Sequence, residues 1–235
     1  VVKKPPDGEE AAGWRSSLAL NAVANYAVGR FLDRPAASSI FNQHTKHTHN
    51  PIPMLLYPNT YYHIYNRSNN REVVFRERDN YGLFIKKYRY HCEAFADTLA
   101  YCLMPTHFHL FVFVHSEDTD ALRNQFGVLL GSYTHAINKG YGRHGSLFQA
   151  GTKAKPVSDD AYLATLTAYI HNNPVRSGLT ERAEEWEFSS VQDYWGLRKE
   201  GTLVRKEQVL ERFSDVAAFK EFSVGVVDVE RGVWV

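Results

Sequence analysis

The regular patterning of the chain begins at Tyr57. TYYHIYNRS alternates and is rich in β-formers, which predicts a first strand. REVVFRERDNYGLFIKKYRYHCEAF then carries apolar residues at helical spacing through Tyr81, Phe84, Ile85 and Tyr88, with Lys86, Lys87 and Arg89 outward. DTLAYCLM and THFHLFVFVH predict two strands joined by a Met-Pro-Thr turn, where Pro105 is better placed than inside a strand. SEDTDALRNQFGVLLGSYTHAINKGYG predicts a second helix, capped by Asp118 or Thr119 and closed by Gly140. SLFQAGTKAKPV is extended. SDDAYLATLTAYIHNNP predicts a third helix, capped by Ser158 and stopped by Pro174.

The order is therefore strand, helix, strand, strand, helix, strand, helix. This is the split βαβ, ferredoxin-like α+β pattern: an antiparallel sheet with helices on one face and an added C-terminal helix. There is no internal repeat. Three regions follow: a poorly ordered extension over 1–53, a folded domain over 54–192 and a C-terminal appendage over 193–235. The extension is rich in Pro, Ser, Asn and small residues, and the first methionine of the chain is Met54. Met54 is thus expected as a natural start. His44, His47 and His49 look metal-like by composition, but ordering a flexible tail costs too much entropy for a site there.

Composition narrows the class. With 44% hydrophobic and 14% aromatic residues in 235, the chain can fill a core. No apolar run reaches transmembrane length and the N-terminus does not read as a secretory signal. Cys92 and Cys102 are not spaced as CxxC, which suits reduced thiols and a cytoplasmic location. The net charge of +1 excludes nothing, but its distribution is uneven. Between Asp120 and Asp159 there is no acidic residue. That interval holds Arg123, Lys139, Arg143, Lys153, Lys155, His135 and His144, interleaved with Tyr133, Tyr141 and Phe148. Such a stretch suits a polyanion with stackable bases, and Arg143, Lys153 and Lys155 are the candidate phosphate contacts. The plain alternative is a solvated face.

The candidate chemistry lies in two places. His107 and His109 stand two apart on a strand, so their rings share a face while Phe108, Leu110 and Val112 share the other. Alone, the pair fits a metal site and a solvated, hydrogen-bonded face equally well. On the third helix, Tyr169 and Asn173 are four apart and lie together beside the core stripe of Leu163, Leu166 and Ile170. A tyrosine beside core leucines is usually packing. Tyr162 lies on nearly the same helix face as Tyr169 but about 10 Å away, so both cannot serve one phosphate. His63 on the first strand could face the site, but packing is the plainer reading.

HFH on a strand, LFQAGTKAKPV, and then AYLATLTAYIHNNPVRSGL resemble the REP-associated tyrosine transposases, relatives of the single-tyrosine transposases of bacterial insertion sequences. The match runs from about Leu55 to Gln192, with SSVQDYWG resembling the family's tail. The resemblance implies that His107 and His109 bind a divalent ion, Mg²⁺ or Mn²⁺. It makes Tyr169 the nucleophile and puts Asn173 where relatives have a third polar ligand. It implies cleavage of single-stranded DNA beside hairpins formed by palindromic repeats, with a 5′-phosphotyrosine link, a free 3′-hydroxyl and rejoining by reverse attack. A covalent link conserves the energy of the broken phosphodiester, and no Walker-type loop is present. The protein is then a DNA-nicking and joining enzyme, a monomer or homodimer, associated with the nucleoid when DNA-bound.

Two other readings share the basic groove. One is a non-catalytic nucleic-acid-binding module of ferredoxin-like fold. The other is a metal-dependent phosphodiesterase with no covalent step. The set of His107, His109, Tyr169 and Asn173 speaks against the binding module, since a mere binder needs none of it.

Overall fold

The computed structural model describes residues 54–199 and 201–229. The expected extension over 1–53, with His44, His47 and His49, lies outside the described residues, as does residue 200.

The strands are β1 (Thr60–Arg67), β2 (Ala96–Met104), β3 (His107–Val114) and β4 (Lys153–Val157). They form one sheet in the order β2-β3-β1-β4 with every neighbouring pair antiparallel. Helix α1 (Arg78–Cys92) links β1 to β2, and α2 (Thr119–Tyr141) links β3 to β4. This is the expected ferredoxin-like arrangement. Helix α3 (Asp160–His171) follows β4, and a short turn, α4 (Asn173–Arg176), continues it past a kink at Asn172.

Alternation along the strands gives the sheet two different faces. Tyr62 and Ile64 of β1 and Phe108, Leu110 and Val112 of β3 point to one side and are almost fully buried. They meet Tyr81, Phe84, Tyr88 and Cys92 of α1 and Leu122, Phe126, Leu129, Tyr133 and Ile137 of α2, which recur at helical spacing. The rings interlock: Phe84 lies 5.1 Å from Phe108 and 5.3 Å, edge-on, from Tyr133. Asp118 caps α2 by accepting from the Ala121 N–H at 2.9 Å. The helix closes at Gly142, not Gly140. Gly142 has φ +62°, the left-handed cap conformation, so the chain remains helical through Gly140 to Tyr141.

The second face carries Tyr61, His63, Tyr65 and Arg67 of β1 and His107, His109, Phe111 and Phe113 of β3, and α3 lies across it. The outer edge of β2 is covered by the chain beyond α4. Leu103 N–H donates to Phe188 O (2.9 Å), Ser190 N–H to Tyr101 O (2.9 Å) and Arg205 N–H to Thr98 O (2.8 Å). Backbone groups that would otherwise form an open edge are thereby paired. Phe188 stacks on Tyr81 of α1 with centroids 3.6 Å apart. Helices α5 (Val191–Tyr194), α6 (Glu207–Leu210) and α7 (Val216–Val229) complete this region. Residues past 192 share the core: Tyr194, Val209 and Phe219 are buried, and α7 packs on α3.

Candidate active site

The site is built where β3 meets β1 beneath α3. In the β1–β3 register Tyr65 opposes His109 and Arg67 opposes His107. Residues directly opposed in a ladder show their side chains to the same face. His107 and His109 therefore sit beside Tyr65 and Arg67, with His63 one step along β1. The two β3 rings are 5.1 Å apart and perpendicular. His107 Nδ1 is 3.1 Å from Thr106 Oγ1, and His109 Nδ1 is 2.9 Å from Nε2 of His63.

Tyr169 comes down onto these rings from α3. Its ring is edge-on to His109 at 6.0 Å and to His63 at 6.3 Å, and Arg176 places its guanidinium carbon 5.1 Å from the Tyr169 ring centroid. Asn173 lies one turn on. Pro174 has no N–H to offer the Ile170 carbonyl, so the last turn of α3 is short of donors. The Asn173 side chain supplies one: Nδ2 donates to Tyr169 O at 3.0 Å and, at 3.5 Å, approaches Ile170 O. With its nitrogen tied to the helix, the amide offers its oxygen as the remaining polar atom. Tyr169, His109 and Asn173 are all buried, which screens the set from bulk water.

Burial decides the charge state of the imidazoles. The His107 pKa is lowered to about 4, first by burial and then by the charge of Arg67. That of His63 is lowered to about 3 by burial and by Lys155. His109 is driven well below the ordinary range by burial, with His63, His107 and Arg67 adding to it. All three rings are therefore neutral at pH 7, the state that leaves a lone pair for a ligand.

On β4, Lys155 stands opposite His63 and Lys153 opposite Tyr65, so both lysines belong to the site's face. Lys155 Nζ lies 5.6 Å from the Tyr65 ring centroid. The loop before β4 is held to β1 by Asn66, whose Nδ2 donates to Gln149 O and Thr152 Oγ1. Arg143 is elsewhere. It follows α2, is ion-paired with Glu72, donates to Asn138 Oδ1 at 2.6 Å, and has a side chain only 13% exposed. The fold thus sets Tyr169 against His109, beside His107, with Asn173 one turn along the helix and Lys153 and Lys155 on the same face of the sheet, while Arg143 is engaged in a separate ion pair. It also adds residues that sequence reasoning passed over: His63, read as packing, together with Arg67 and Arg176. Alternation put His63 and Arg67 on one face of β1; what was missing was the pairing that lays this face beside His107 and His109.

A sequence model of the family described as transposase IS200 like matches residues 57–173. Over these residues the chain is similar to the IS200-like transposases. The matched segment opens just before β1 and ends on Asn173, so it contains all of these site residues except Arg176. A Haemophilus influenzae protein named as a REP-associated tyrosine transposase is 29% identical over 116 residues, 46% of this chain and 66% of the relative. The match spans just under two thirds of that relative's length. A solved structure of a REP-associated tyrosine transposase bound to a REP hairpin aligns at TM-score 0.49 and 16% identity, covering 71% of this chain and 94% of that one.

Proposed function

We propose that this IS200-like chain cuts and rejoins single-stranded DNA beside hairpin elements through a covalent link to Tyr169. The observation that carries the reading is the meeting of Tyr169 with the histidine face, its ring edge-on to His109 at 6.0 Å with Asn173 one turn along the helix. A tyrosine that only filled the core would not need neutral imidazoles beside it. The substrate class, single strands next to palindromic hairpins, follows the motif resemblance and the name of the H. influenzae relative.

Likeness to this family implies a divalent ion, and the residues fit one. His107 and His109 are neutral and each has its Nδ1 engaged, which leaves Nε2 as the free ring nitrogen. Among the described residues no group of three or more His, Cys, Asp or Glu gathers for a metal, so the Asn173 oxygen is the third donor at hand. Two imidazoles and one amide oxygen suit Mn²⁺ well and Mg²⁺ acceptably. Such an ion, when bound, polarises the scissile phosphate and offsets the charge that grows in the transition state.

The chain's own groups do the rest. The Tyr169 oxygen attacks phosphorus, the bond to the 3′ oxygen breaks, and a 5′-phosphotyrosine and a 3′-hydroxyl result. The phenol gives up one proton and the leaving oxygen takes one, so the exchange is balanced. Reverse attack by a 3′-hydroxyl rejoins the strand. Arg67 beside His107, and Lys153 and Lys155 on β4, attract and position the backbone. Arg143 would have to exchange Glu72 for a phosphate before it could join them. Among the described residues no helix is long and apolar enough to cross a membrane. Cys92 and Cys102 are buried free thiols, which supports action in the reducing cytoplasm, on nucleoid DNA.

The test is a labelled hairpin oligonucleotide incubated with the protein and Mn²⁺. A covalent adduct that survives denaturing electrophoresis is expected, absent in Tyr169→Phe and present in Tyr162→Phe. Binding without any adduct would favour a non-catalytic module. Cleavage without an adduct would favour a simple phosphodiesterase.

A further inference from the structure

The reaction above leaves His63 without a task, yet it is the most closely engaged ring of the site. It is 4% exposed, and its Nε2 lies 2.9 Å from Nδ1 of His109. The two rings are stacked, 25° apart, with centroids at 5.1 Å. A neutral imidazole has one N–H and one lone pair, so a contact between two ring nitrogens needs one donor and one acceptor. Two arrangements meet that need. In the first, His63 donates from Nε2, and His109 then carries its own proton on Nε2. In the second, His109 donates from Nδ1, and its Nε2 keeps a lone pair.

Only the second leaves His109 able to bind a cation, because its Nδ1 is occupied by His63 either way. The neighbouring ligand is built alike. His107 has its Nδ1 against the Thr106 hydroxyl at 3.1 Å, so both rings of the pair have a partner on Nδ1 and both present Nε2. Metal-binding histidines are commonly oriented in this manner, the outer nitrogen donating to a carboxylate or carbonyl that fixes the tautomer. Here the acceptor is a third imidazole.

We propose that His63 is a positioning residue that accepts the Nδ1–H of His109 and so fixes the His109 tautomer with its Nε2 lone pair toward the cation. This rests on the reading of His107 and His109 as the metal pair. Its test has two arms. In the metal-free, ¹⁵N-histidine-labelled full chain, long-range ¹H–¹⁵N spectra should show His109 protonated on Nδ1. Mn²⁺ binding, followed by the electron paramagnetic resonance signal of the free ion, should weaken by about 10- to 100-fold in His63→Phe, which has no acceptor. His63→Gln, whose side-chain oxygen can accept the same proton, should recover most of that loss. An Nε2–H tautomer on His109, or unchanged Mn²⁺ affinity in a folded His63→Phe, would overturn the assignment. If the unaltered protein binds no Mn²⁺, the metal reading fails, and the tautomer spectrum alone then decides whether His63 is the acceptor.

Discussion

Acid should weaken the fold in part through the joint behind the tyrosine helix, where His171 is the group responsible. This ring, 1% exposed, sits at the end of α3, two residues beyond Tyr169. Its Nε2 is 2.8 Å from Ser190 Oγ. The Ser190 hydroxyl donates to Tyr101 O and accepts from Tyr101 N–H, so the histidine must be the donor in that contact. Nδ1 then carries the lone pair and is buried with no hydrogen-bond partner. Protonating it would put an N–H and a charge among Tyr194 and Phe219, 4.9 and 6.3 Å away, with nothing to accept. Burial accordingly lowers the His171 pKa from 6.5 to about 3.

The sign follows from proton counting. Below pH 6.5 the unfolded chain takes up a proton that the folded chain refuses, so stability falls as pH falls, down to the folded value near 3. At pH 5 the offset is one and a half pH units, or about 2 kcal/mol for this single ring. His63 and His107 add losses of the same sign, so the total alone would not isolate His171. A comparison does. In urea unfolding at pH 7 and pH 5, the unaltered protein should lose about 2 kcal/mol more than His171→Gln, which cannot titrate. Equal losses in the two proteins would refute the assignment, whatever the stability of the variant at pH 7.

His107→Ala and His109→Ala should each abolish metal-dependent cleavage, and excess chelator should do the same to the unaltered protein. Full cleavage in chelator would reject the metal. Replacing Lys153 and Lys155 together by Ala should weaken binding to all single strands alike and flatten the slope of log K against log salt by about 0.7 per lost contact. An unchanged slope would place the DNA path elsewhere. Removing residues 1–53 should leave the melting temperature and nicking unchanged, because Met54 and Leu56, which pack in the core, are retained. A large fall in melting temperature would refute that.

The readable parts of this protein are those in which sequence spacing and spatial neighbourhood coincide. The i, i+2 spacing of His107 and His109 is a property of one strand, and the i, i+4 spacing of Tyr169 and Asn173 is a property of one helical segment, kinked at Asn172. Strand and helix order was legible for the same reason, since each element shows its own period. His63 was not legible, because its role depends on the β1–β3 register, a pairing across more than forty residues that no local pattern encodes. Arg143 looked like a phosphate contact in an acid-free stretch; its carboxylate, Glu72, stands far back in sequence and reaches it only in the fold. The end of α2 was misplaced by two residues, because either glycine could close a helix and only tertiary structure selects the one that turns left-handed. The region beyond 192 contributes Tyr194, Val209 and Phe219 to the core from separate short or late helices, too scattered to show a period.

That region bears directly on where the reacting phenol stands. Successive helix residues are turned by about 100°, so Tyr169 and Asn173 share one side of the α3–α4 segment and His171 points to nearly the opposite side. The front residues meet the histidine face of the sheet. Other parts of the chain hold the rest of the segment: Ser190 holds His171 at the back, and the Ser223 carbonyl of α7 accepts from Asn172 on a flank at 2.8 Å. Ser190 in turn is bonded to Tyr101, on the β2 strand that pairs with β3. A closed path therefore runs from His109 through the sheet to β2, across Ser190 to His171, and along the helix back to Tyr169. Turning the helix about its axis, or sliding it along the sheet, would strain the buried hydrogen bonds of His171 and Asn172. The separation between phenol and imidazole is thus held from behind the helix as well as by the contact of the two rings.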